Sequence, residues 1–196
     1  MPQGNLLFPV FLKLDKLQVL IVGGGVVALE KIELMFRHAD NAHVRLVASE
    51  VLPEIEAIKK EYPYQIEIIN RNYQNCDLEK INVLIAATED REKDLMIRKE
   101  AKKRNILVNV ADTPDLCDFY LSSVVKKGDL KIAISTNGKS PTLGKRMKEL
   151  LVDALPDEID DLLENLQKLR DSLTGDFQEK VNTLNEVTKT FKPNKK

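Results

Sequence analysis

Apolar residues between residue 1 and about residue 110 recur in two alternating patterns. Continuous apolar runs are typical of strands that are buried on both faces, and the segments between them have the apolar spacing of helices. The predicted strands are 19–22, 44–47, 66–69, 83–87 and 106–110, and the predicted helices are 26–37, 52–62 and 90–104. Strands that alternate with helices in this way predict βαβ units and a Rossmann-type parallel sheet.

The pattern changes after residue 113. Two apolar runs, 119–125 and 130–135, flank Lys127-Gly128-Asp129 and predict two strands joined by a turn. Ser140-Pro141 predicts the start of a helix, because serine is a favoured N-cap and proline suits the first helical position. Two amphipathic helices are predicted towards the C-terminus. The predicted α/β chain has three parts: an NAD-binding Rossmann domain at 1–113, a small α+β dimerisation and substrate-binding region at 114–150, and a C-terminal helical region at 151–196.

Composition and charge argue against several classes of function. The chain carries 30 Lys and Arg against 31 Asp and Glu, and the net charge of −1 argues against a dedicated nucleic-acid binder. The two cysteines and two histidines form no recognisable metal-ligand pattern. No apolar segment is long enough to span a bilayer, and no signal peptide is visible. We therefore expect a cytoplasmic protein that has no resident metal.

A glycine-rich turn directly follows the first predicted strand. Gly23-Gly24-Gly25-Val26-Val27-Ala28 matches the pattern G-x-G-x-x-[GA] at the head of a predicted helix. The first glycine permits a tight turn, Gly25 lets the backbone approach a pyrophosphate, and Ala28 lets the helix pack closely on the strand. The helix N-terminus presents N–H groups to the phosphates. The predicted dinucleotide-binding residues of this turn are Gly23, Gly24, Gly25, Val26 and Val27; the alternative is a purely structural turn.

The end of the second strand lacks the acidic residue that usually binds the ribose 2′-hydroxyl of NAD. Ser49 and Glu50 follow this strand instead, so one of them would meet that hydroxyl. No arginine follows the strand directly to bind a 2′-phosphate. This arrangement favours NAD over NADP.

Further candidates follow the fourth and fifth strands, at the edge where ligands bind in open α/β sheets. Thr88 is predicted to line the cofactor groove, and a role for Thr88 or Asp90 as a helix N-cap is compatible with that position. Asn109 is a second candidate contact to the cofactor. Asp112 is a candidate acid or base that faces the nicotinamide, although its spacing alone favours a turn residue before the following Thr-Pro.

A basic segment surrounds the predicted helix start at Ser140. Residues 126–148 contain seven basic residues and one acidic residue, and no aromatic residue on which a nucleic-acid base could stack. Such a run is usually a solvated surface, but cations at a helix N-terminus also suit an anionic substrate. The candidate substrate-binding residues are Lys126, Asn137, Lys139 and Ser140.

Together, these motifs resemble the precorrin-2 dehydrogenase / sirohydrochlorin ferrochelatase family, the N-terminal module of siroheme synthases. The order and the spacing of the motifs are specific. The motifs are Gly-Gly-Gly-x-Val-Ala-x-x-Lys from Gly23 to Lys31, Ala-Ala-Thr-x-Asp from Ala86 to Asp90, Val-Asn-Val-x-Asp from Val108 to Asp112, Cys117-Asp118-Phe119, and Lys-x-Gly-Asp-Leu-x-Ile-Ala-Ile-Ser-Thr-x-Gly-Lys-Ser-Pro from Lys126 to Pro141.

The resemblance implies an NAD-dependent oxidation of precorrin-2 to sirohydrochlorin and, in some members, insertion of Fe²⁺ at the same site. It implies that Asp112 is the essential aspartate and that Ser140 lies on the tetrapyrrole side of the site. It also implies a homodimer formed by the region after the Rossmann domain. The many carboxylates of the tetrapyrrole would account for the basic segment.

Two alternatives stay open from the sequence. In the first, the chain is a dehydrogenase only, and a separate chelatase completes the pathway. In the second, it is a non-catalytic module whose Rossmann domain senses NAD and sets the conformation of a dimer. The sensing alternative predicts NAD binding without turnover and tolerance of Asp112→Asn. The enzyme alternative predicts that this substitution abolishes NADH production.

Overall fold

The computed structural model describes residues 4–174 and 176–189, which fold as two compact units that divide between Leu121 and Ser122. The elements of the first unit are β1 (Gln18–Val22), α1 (Val26–His38), β2 (His43–Ala48), α2 (Pro53–Glu61), β3 (Ile66–Asn70), β4 (Val83–Ala86), α3 (Arg91–Lys102) and β5 (Leu107–Val110). The five strands and three helices predicted for this part of the chain are confirmed. The boundaries of the three predicted parts stay predictions.

The five strands form one parallel sheet in the order β3-β2-β1-β4-β5. From β1 the chain first builds outward through β2 to β3, and it then returns to the other side of β1 with β4 and β5. The direction of winding therefore changes between β1 and β4. In open α/β sheets, ligands bind in the crevice outside the carboxyl ends of the strands at this change of direction.

Apolar side chains pack on both faces of the sheet. Val19 and Ile21 of β1 are fully or almost fully buried and lie in one cluster with Ile32 of α1. Leu20, the residue between them, points to the opposite face and lies in a second cluster with Ile97 of α3. The continuous apolar run in β1 thus reflects helices on both faces of a parallel sheet.

The second unit contains the antiparallel hairpin β6 (Ser123–Lys127) and β7 (Leu130–Ile134), followed by α4 (Pro141–Ala154), α5 (Ile159–Ser172) and α6 (Phe177–Val187). The predicted hairpin turn, the helix start at Pro141 and the two C-terminal helices are confirmed; residues 175 and 190–196 of the predicted helical region lie outside the described residues. No helix in the described part of the chain has the length and apolar character that a membrane crossing requires.

Within this unit, polar contacts join the start of α5 to the hairpin. The Asp160 carboxylate accepts a hydrogen bond of 2.8 Å from the backbone N–H of Asp129, in the turn between the two strands. Lys127 donates to the Asp157 carboxylate at 2.8 Å and to the carbonyl of Leu155. Lys127 therefore has a structural role, although it belongs to the basic segment.

The strand predicted at 119–125 is wrong at its start, because β6 begins only at Ser123. Phe119 and Leu121 instead pack against the core of the first unit. The carbonyl of Phe119 accepts a hydrogen bond of 2.9 Å from the side-chain amide of Asn109, which removes it from any strand pairing. The apolar residues predicted a strand from residue 119. In the structure, the side chain of Asn109 occupies the carbonyl of Phe119, and the strand begins four residues later.

Candidate functional site

The turn between β1 and α1 is pressed against two neighbouring backbone segments. Gly23 has φ +117°, and a Cβ atom at this residue would lie 1.9 Å from the carbonyl oxygen of Ala87. A Cβ atom on Gly24 would lie 2.2 Å from the carbonyl oxygen of Glu50. Contacts this short with backbone atoms admit only glycine.

Gly25 is not confined by backbone atoms and has a different role. It is the N-cap residue of α1, and among the described residues no side chain caps that helix. A Cβ atom on Gly25 would meet only the Oε1 atom of Glu89, at 3.2 Å. The N–H groups of the first helical turn have no acceptor within the helix, so they are available to a phosphate that approaches over Gly25.

The glycine turn forms the floor of a cleft of about 680 Å³ at the carboxyl ends of the strands. This volume lies within the range of small-molecule and cofactor sites. Residues that follow β2 and β3, together with one face of α3, form its walls. These walls include Ser49, Glu50, Asn72, Tyr73, Lys93, Met96 and Ile97. The turn, the volume and the uncapped helix together fit a dinucleotide.

The polar lining of the cleft carries more acidic than basic side chains. Ser49 and Glu50, the predicted contacts to the ribose, are exposed and line the cleft just beyond the end of β2. Glu89 lines the cleft from the end of β4, with φ +59°. Among the described lining residues the basic side chain is Lys93, which pairs with Asp90 at 3.2 Å. A cleft with this lining suits NAD better than the more highly charged NADP.

Thr88 lines the cleft as predicted, and its hydroxyl also holds the start of α3. The Oγ1 atom lies 2.7 Å from Oδ1 of Asp94 and 3.1 Å from the carbonyl oxygen of Asp90. Burial raises the pKa of the Asp94 carboxyl, and the hydrogen bond from Thr88 opposes that rise. Asp90 is the N-cap of α3, because its carboxylate accepts from the N–H groups of Glu92 and Lys93.

Several lining residues were missed by the sequence reasoning. Asn72 and Tyr73 follow β3, and Met96 lies on α3, facing the cleft. Burial raises the pKa of Tyr73 to about 12, so its hydroxyl stays protonated at neutral pH. The position of Asn72-Tyr73, immediately beyond a predicted strand, was a signal that could have found them. Met96 carried no such signal, since only the packing of α3 brings it to the cleft.

Three of the predicted cofactor residues do not line the cleft. Val26 is 69% exposed, and Val27 is partly buried in the first turn of α1. Asn109 is buried, and its amide donates to the carbonyl of Phe119 at 2.9 Å. Val26 and Val27 would therefore meet the phosphates only through their backbone N–H groups in the first turn of α1. The amide of Asn109 is committed to the backbone of its own unit.

Asp112 lies in a turn just beyond β5, at the same edge of the sheet as the glycine turn. It is exposed and adopts φ +53°, and no described residue donates a hydrogen bond to its carboxylate. The preceding residue, Ala111, donates its N–H to the carbonyl of Ala86 at 2.9 Å, which ties the turn to β4. Asp112 is therefore a turn residue, as its spacing suggested, and it also carries a carboxylate without a partner.

The four candidate substrate residues lie in the second unit. Lys126 and Lys139 are exposed, and Asn137 adopts φ +54° in the loop before α4. Ser140 is the N-cap of α4, and its hydroxyl oxygen accepts from the N–H of Leu143 at 3.1 Å. The predicted cap is confirmed. The cap uses the acceptor capacity of Ser140 and leaves its O–H donor available.

Segments of both units match known protein families. Residues 10–123 match a family described as "Putative NAD(P)-binding", and residues 127–154 match one described as "Sirohaem biosynthesis protein central". The siroheme synthase of Psychrobacter cryohalolentis is 37% identical over 177 residues, which are 90% of this chain and 32% of that protein. The siroheme synthase of Thioalkalivibrio sulfidiphilus is 35% identical over 149 residues, which are 76% of this chain and 30% of that protein.

Among solved structures, the protein titled "SirC, precorrin-2 dehydrogenase" superimposes with a TM-score of 0.71 at 28% sequence identity. The match covers 92% of this chain and 89% of that one. The chain itself spans about a third of the length of the curated relatives that it matches. With its NAD(P)-binding domain and the sirohaem-biosynthesis segment that follows, the chain belongs to the NAD(P)-binding family of siroheme-biosynthesis proteins.

Proposed function

We propose that this chain catalyses the NAD-dependent oxidation of precorrin-2 to sirohydrochlorin, a dehydrogenase step in siroheme biosynthesis. One juxtaposition carries the proposal. A cleft lies at the sheet edge where Asp112 also lies, and among the described residues no side chain caps the helix N-terminus above Gly25 or pairs with the Asp112 carboxylate. The relatives' names, siroheme synthase and precorrin-2 dehydrogenase, supply the substrate.

The glycine turn and the N-terminus of α1 would hold the pyrophosphate of NAD. Ser49 or Glu50 would bind a ribose hydroxyl, and the wall formed by Tyr73 and Met96 offers an apolar surface to a base. When bound, NAD supplies the acceptor for the hydride that leaves the substrate. The protein's own contribution is to bind and orient the two reactants and to exclude water between them.

Asp112 would remove the proton that accompanies the hydride. The oxidation takes two hydrogen atoms from the substrate, one as hydride and one as a proton. An exposed carboxylate without a hydrogen-bond partner can accept that proton. If the chain also inserts Fe²⁺, the same carboxylate could accept the protons displaced from the pyrrole nitrogens, which become the ligands of the iron.

The second unit would recognise the carboxylates of the tetrapyrrole. Lys126 and Lys139 present exposed ammonium groups, and the hydroxyl of Ser140 retains a donor at the N-terminus of α4. Each of these groups can donate a hydrogen bond to a carboxylate of the substrate.

The chain would act as a homodimer through the second unit. Leu143, Met147 and Leu150 follow one another at helical spacing on α4, and they are 53%, 38% and 58% exposed. An apolar stripe of this kind on a surface helix marks an interaction surface.

The direct test uses purified protein under anaerobic conditions with precorrin-2 and NAD. The proposal predicts formation of NADH and of the sirohydrochlorin spectrum, and absence of NADH would refute it. NAD binding without turnover would support the sensing alternative instead. Fe²⁺ or Co²⁺ is then added: a metallated spectrum formed above the uncatalysed rate would identify a chelatase, and its absence would identify a dehydrogenase only.

A further inference from the structure

The Cys117-Asp118-Phe119 motif has no role in the site described above, yet it lies along the exposed edge of β5. The backbone N–H of Asp118 donates to the carbonyl of Val108 at 2.7 Å, and the Asp118 carboxylate accepts from the N–H of Val108 at 3.0 Å. The amide of Asn109 donates to the carbonyl of Phe119. The motif therefore provides hydrogen-bond partners for β5, the edge strand, through a side chain as well as through the backbone.

Within this motif, the thiol of Cys117 contacts both ends of the Asp112 turn. The N–H of Val110 donates to Sγ at 3.3 Å, and Sγ lies 3.2 Å from the carbonyl oxygen of Val110. Sγ also lies 3.4 Å from the carbonyl oxygen of Thr113. Val110 and Thr113 are the residues that flank Ala111 and Asp112, so one sulfur atom spans the turn.

The thiol has the protonation state that this position requires. Burial raises the pKa of Cys117 above its ordinary value, so the thiol keeps its S–H donor at neutral pH. The side-chain amide of Asn109 lies 3.5 Å from Sγ and faces it as a donor. A neutral thiol can thus accept from N–H groups and donate to a carbonyl at the same time.

The Asp112 turn needs such support. A non-glycine residue at φ +53° is in a sparsely populated conformation, which persists only where its surroundings fix it. The turn is held by the bond from Ala111 to β4, by the bonds from the N–H and the hydroxyl of Thr113 to the carbonyls of Val110 (3.3 Å) and Ala111 (3.2 Å), and by the contacts of Cys117. Of these, only the contacts of Cys117 reach both flanking residues, Val110 and Thr113, from outside the turn. Since no side chain in the described part of the chain pairs with the Asp112 carboxylate, its direction depends on the backbone of this turn.

We propose that Cys117, supported by Asn109, is a positioning residue that fixes the conformation of the Asp112 turn and so aims the carboxylate at the substrate. The inference rests on the proposed function of Asp112. It also gives Asn109 a role that explains why this buried residue does not line the cleft.

The test compares Cys117→Ala with Cys117→Ser, which keeps a hydroxyl donor, and with Cys117→Val, which fills the space without a donor. Cys76→Ala is the matched control, because Cys76 is exposed in the short 3-10 helix between β3 and β4. Misplacing a catalytic group can cost about a hundredfold in rate, and we expect Cys117→Ala to lower kcat at least about tenfold. The Kd for NAD should stay within about twofold of the wild-type value, and the pH–rate profile should shift. Cys117→Ser should recover most of kcat.

Unchanged kcat and pH–rate profile in Cys117→Ala would overturn the proposal, as would an equal loss of NAD affinity. If Cys117→Ala does not fold, Cys117→Val is judged by the same criteria. A second readout does not depend on activity: amide hydrogen exchange at Ala111 and Thr113 should accelerate in the alanine or valine variant but not in Cys76→Ala. Unchanged exchange would overturn the positioning role, whereas an inactive wild-type protein with accelerated exchange in the variant would refute only the proposed function.

Discussion

At the scale of single residues, the three glycines of the turn have separate structural causes. Gly23 and Gly24 have no room for a side chain, because backbone carbonyl oxygens lie where a Cβ atom would stand. Gly25 has room, since the neighbouring atom belongs to the flexible side chain of Glu89. The first two glycines therefore shape the turn, and the third keeps the space above the helix N-terminus open.

Gly25→Ala is expected to weaken dinucleotide binding without unfolding the protein. The added methyl group would occupy the phosphate approach, and a steric overlap of about 1–3 kcal/mol corresponds to a rise of about 5- to 150-fold in the Kd for NAD. Calorimetric titration with NAD measures this change. Gly23→Ala should instead lower the melting temperature, because its Cβ atom would collide with the backbone.

Gly4→Ala is the control, since a Cβ atom there meets nothing within 4 Å. Wild-type affinity in Gly25→Ala would mean that the phosphates do not approach over this residue.

Only some of the residues of the site could be predicted from the sequence. The glycine turn was predictable because its backbone conformation demands a specific residue type. Asn109 was harder, because an amide at the end of a strand can face a ligand or a neighbouring carbonyl, and only the course of residues 117–119 decides between them. Tyr73 and Met96 reach the cleft through packing between distant elements, which residue type does not encode.

At the scale of elements, the connection after β3 is fixed by an ion pair between a partly exposed arginine and a buried aspartate. Arg71 donates to both carboxylate oxygens of Asp77, at 2.6 and 2.8 Å, and Asp77 also accepts from the N–H of Gln74 at 2.8 Å. The Arg71 guanidinium holds the pKa of the Asp77 carboxyl below its usual range. This pair sets the course of the chain from β3 past Tyr73 towards β4.

Acidification is expected to remove the stabilisation from this pair. Because the folded-state pKa of Asp77 is depressed, the contribution is full above the ordinary carboxyl pKa of about 4 and is lost as the pH falls through the lower folded-state pKa. Asp77→Asn should lower the urea midpoint at pH 7 and flatten the loss of stability towards pH 3. Glu164→Gln, in an exposed pair with Lys168, should change neither. An acid-dependent slope identical in wild type and Asp77→Asn would contradict this assignment.

The sheet was largely predictable because each β1–β5 strand is a short apolar run between turn-forming segments. The strand predicted from residue 119 failed for the opposite reason. Its first apolar side chains pack in the core of the first unit, and the carbonyl of Phe119 accepts from the side chain of Asn109 in β5. Apolar character indicates burial, but it does not indicate which backbone partner a segment takes.

At the scale of the whole molecule, the two compact units divide the proposed work. The first presents the dinucleotide cleft and Asp112, and the second presents exposed cations and the apolar stripe of α4. Neither unit's role follows from its fold alone, because Rossmann-type sheets serve many reactions. The function rests on the combination of the site residues with the family match.

The apolar stripe on α4 predicts the oligomeric state. Leu143→Glu combined with Leu150→Glu should convert a dimer into a monomer, because charges would be buried in the interface. Light scattering after size-exclusion chromatography measures the mass. Val187→Glu on α6, at a residue 53% exposed, is the control. A wild-type monomer, or a dimer that survives the double substitution, would contradict the proposed interface.

The central claim, that Asp112 completes a precorrin-2 dehydrogenase, is tested most directly by anaerobic NADH formation in wild type, Asp112→Asn and Asp115→Asn. Asp115 is an exposed acidic residue in the same loop and serves as the control. General acid–base catalysis contributes about 10²–10⁴-fold, so Asp112→Asn should lose at least about a hundredfold in rate. Its NAD affinity should stay unchanged, and Asp115→Asn should resemble wild type. Full activity in Asp112→Asn would contradict the account.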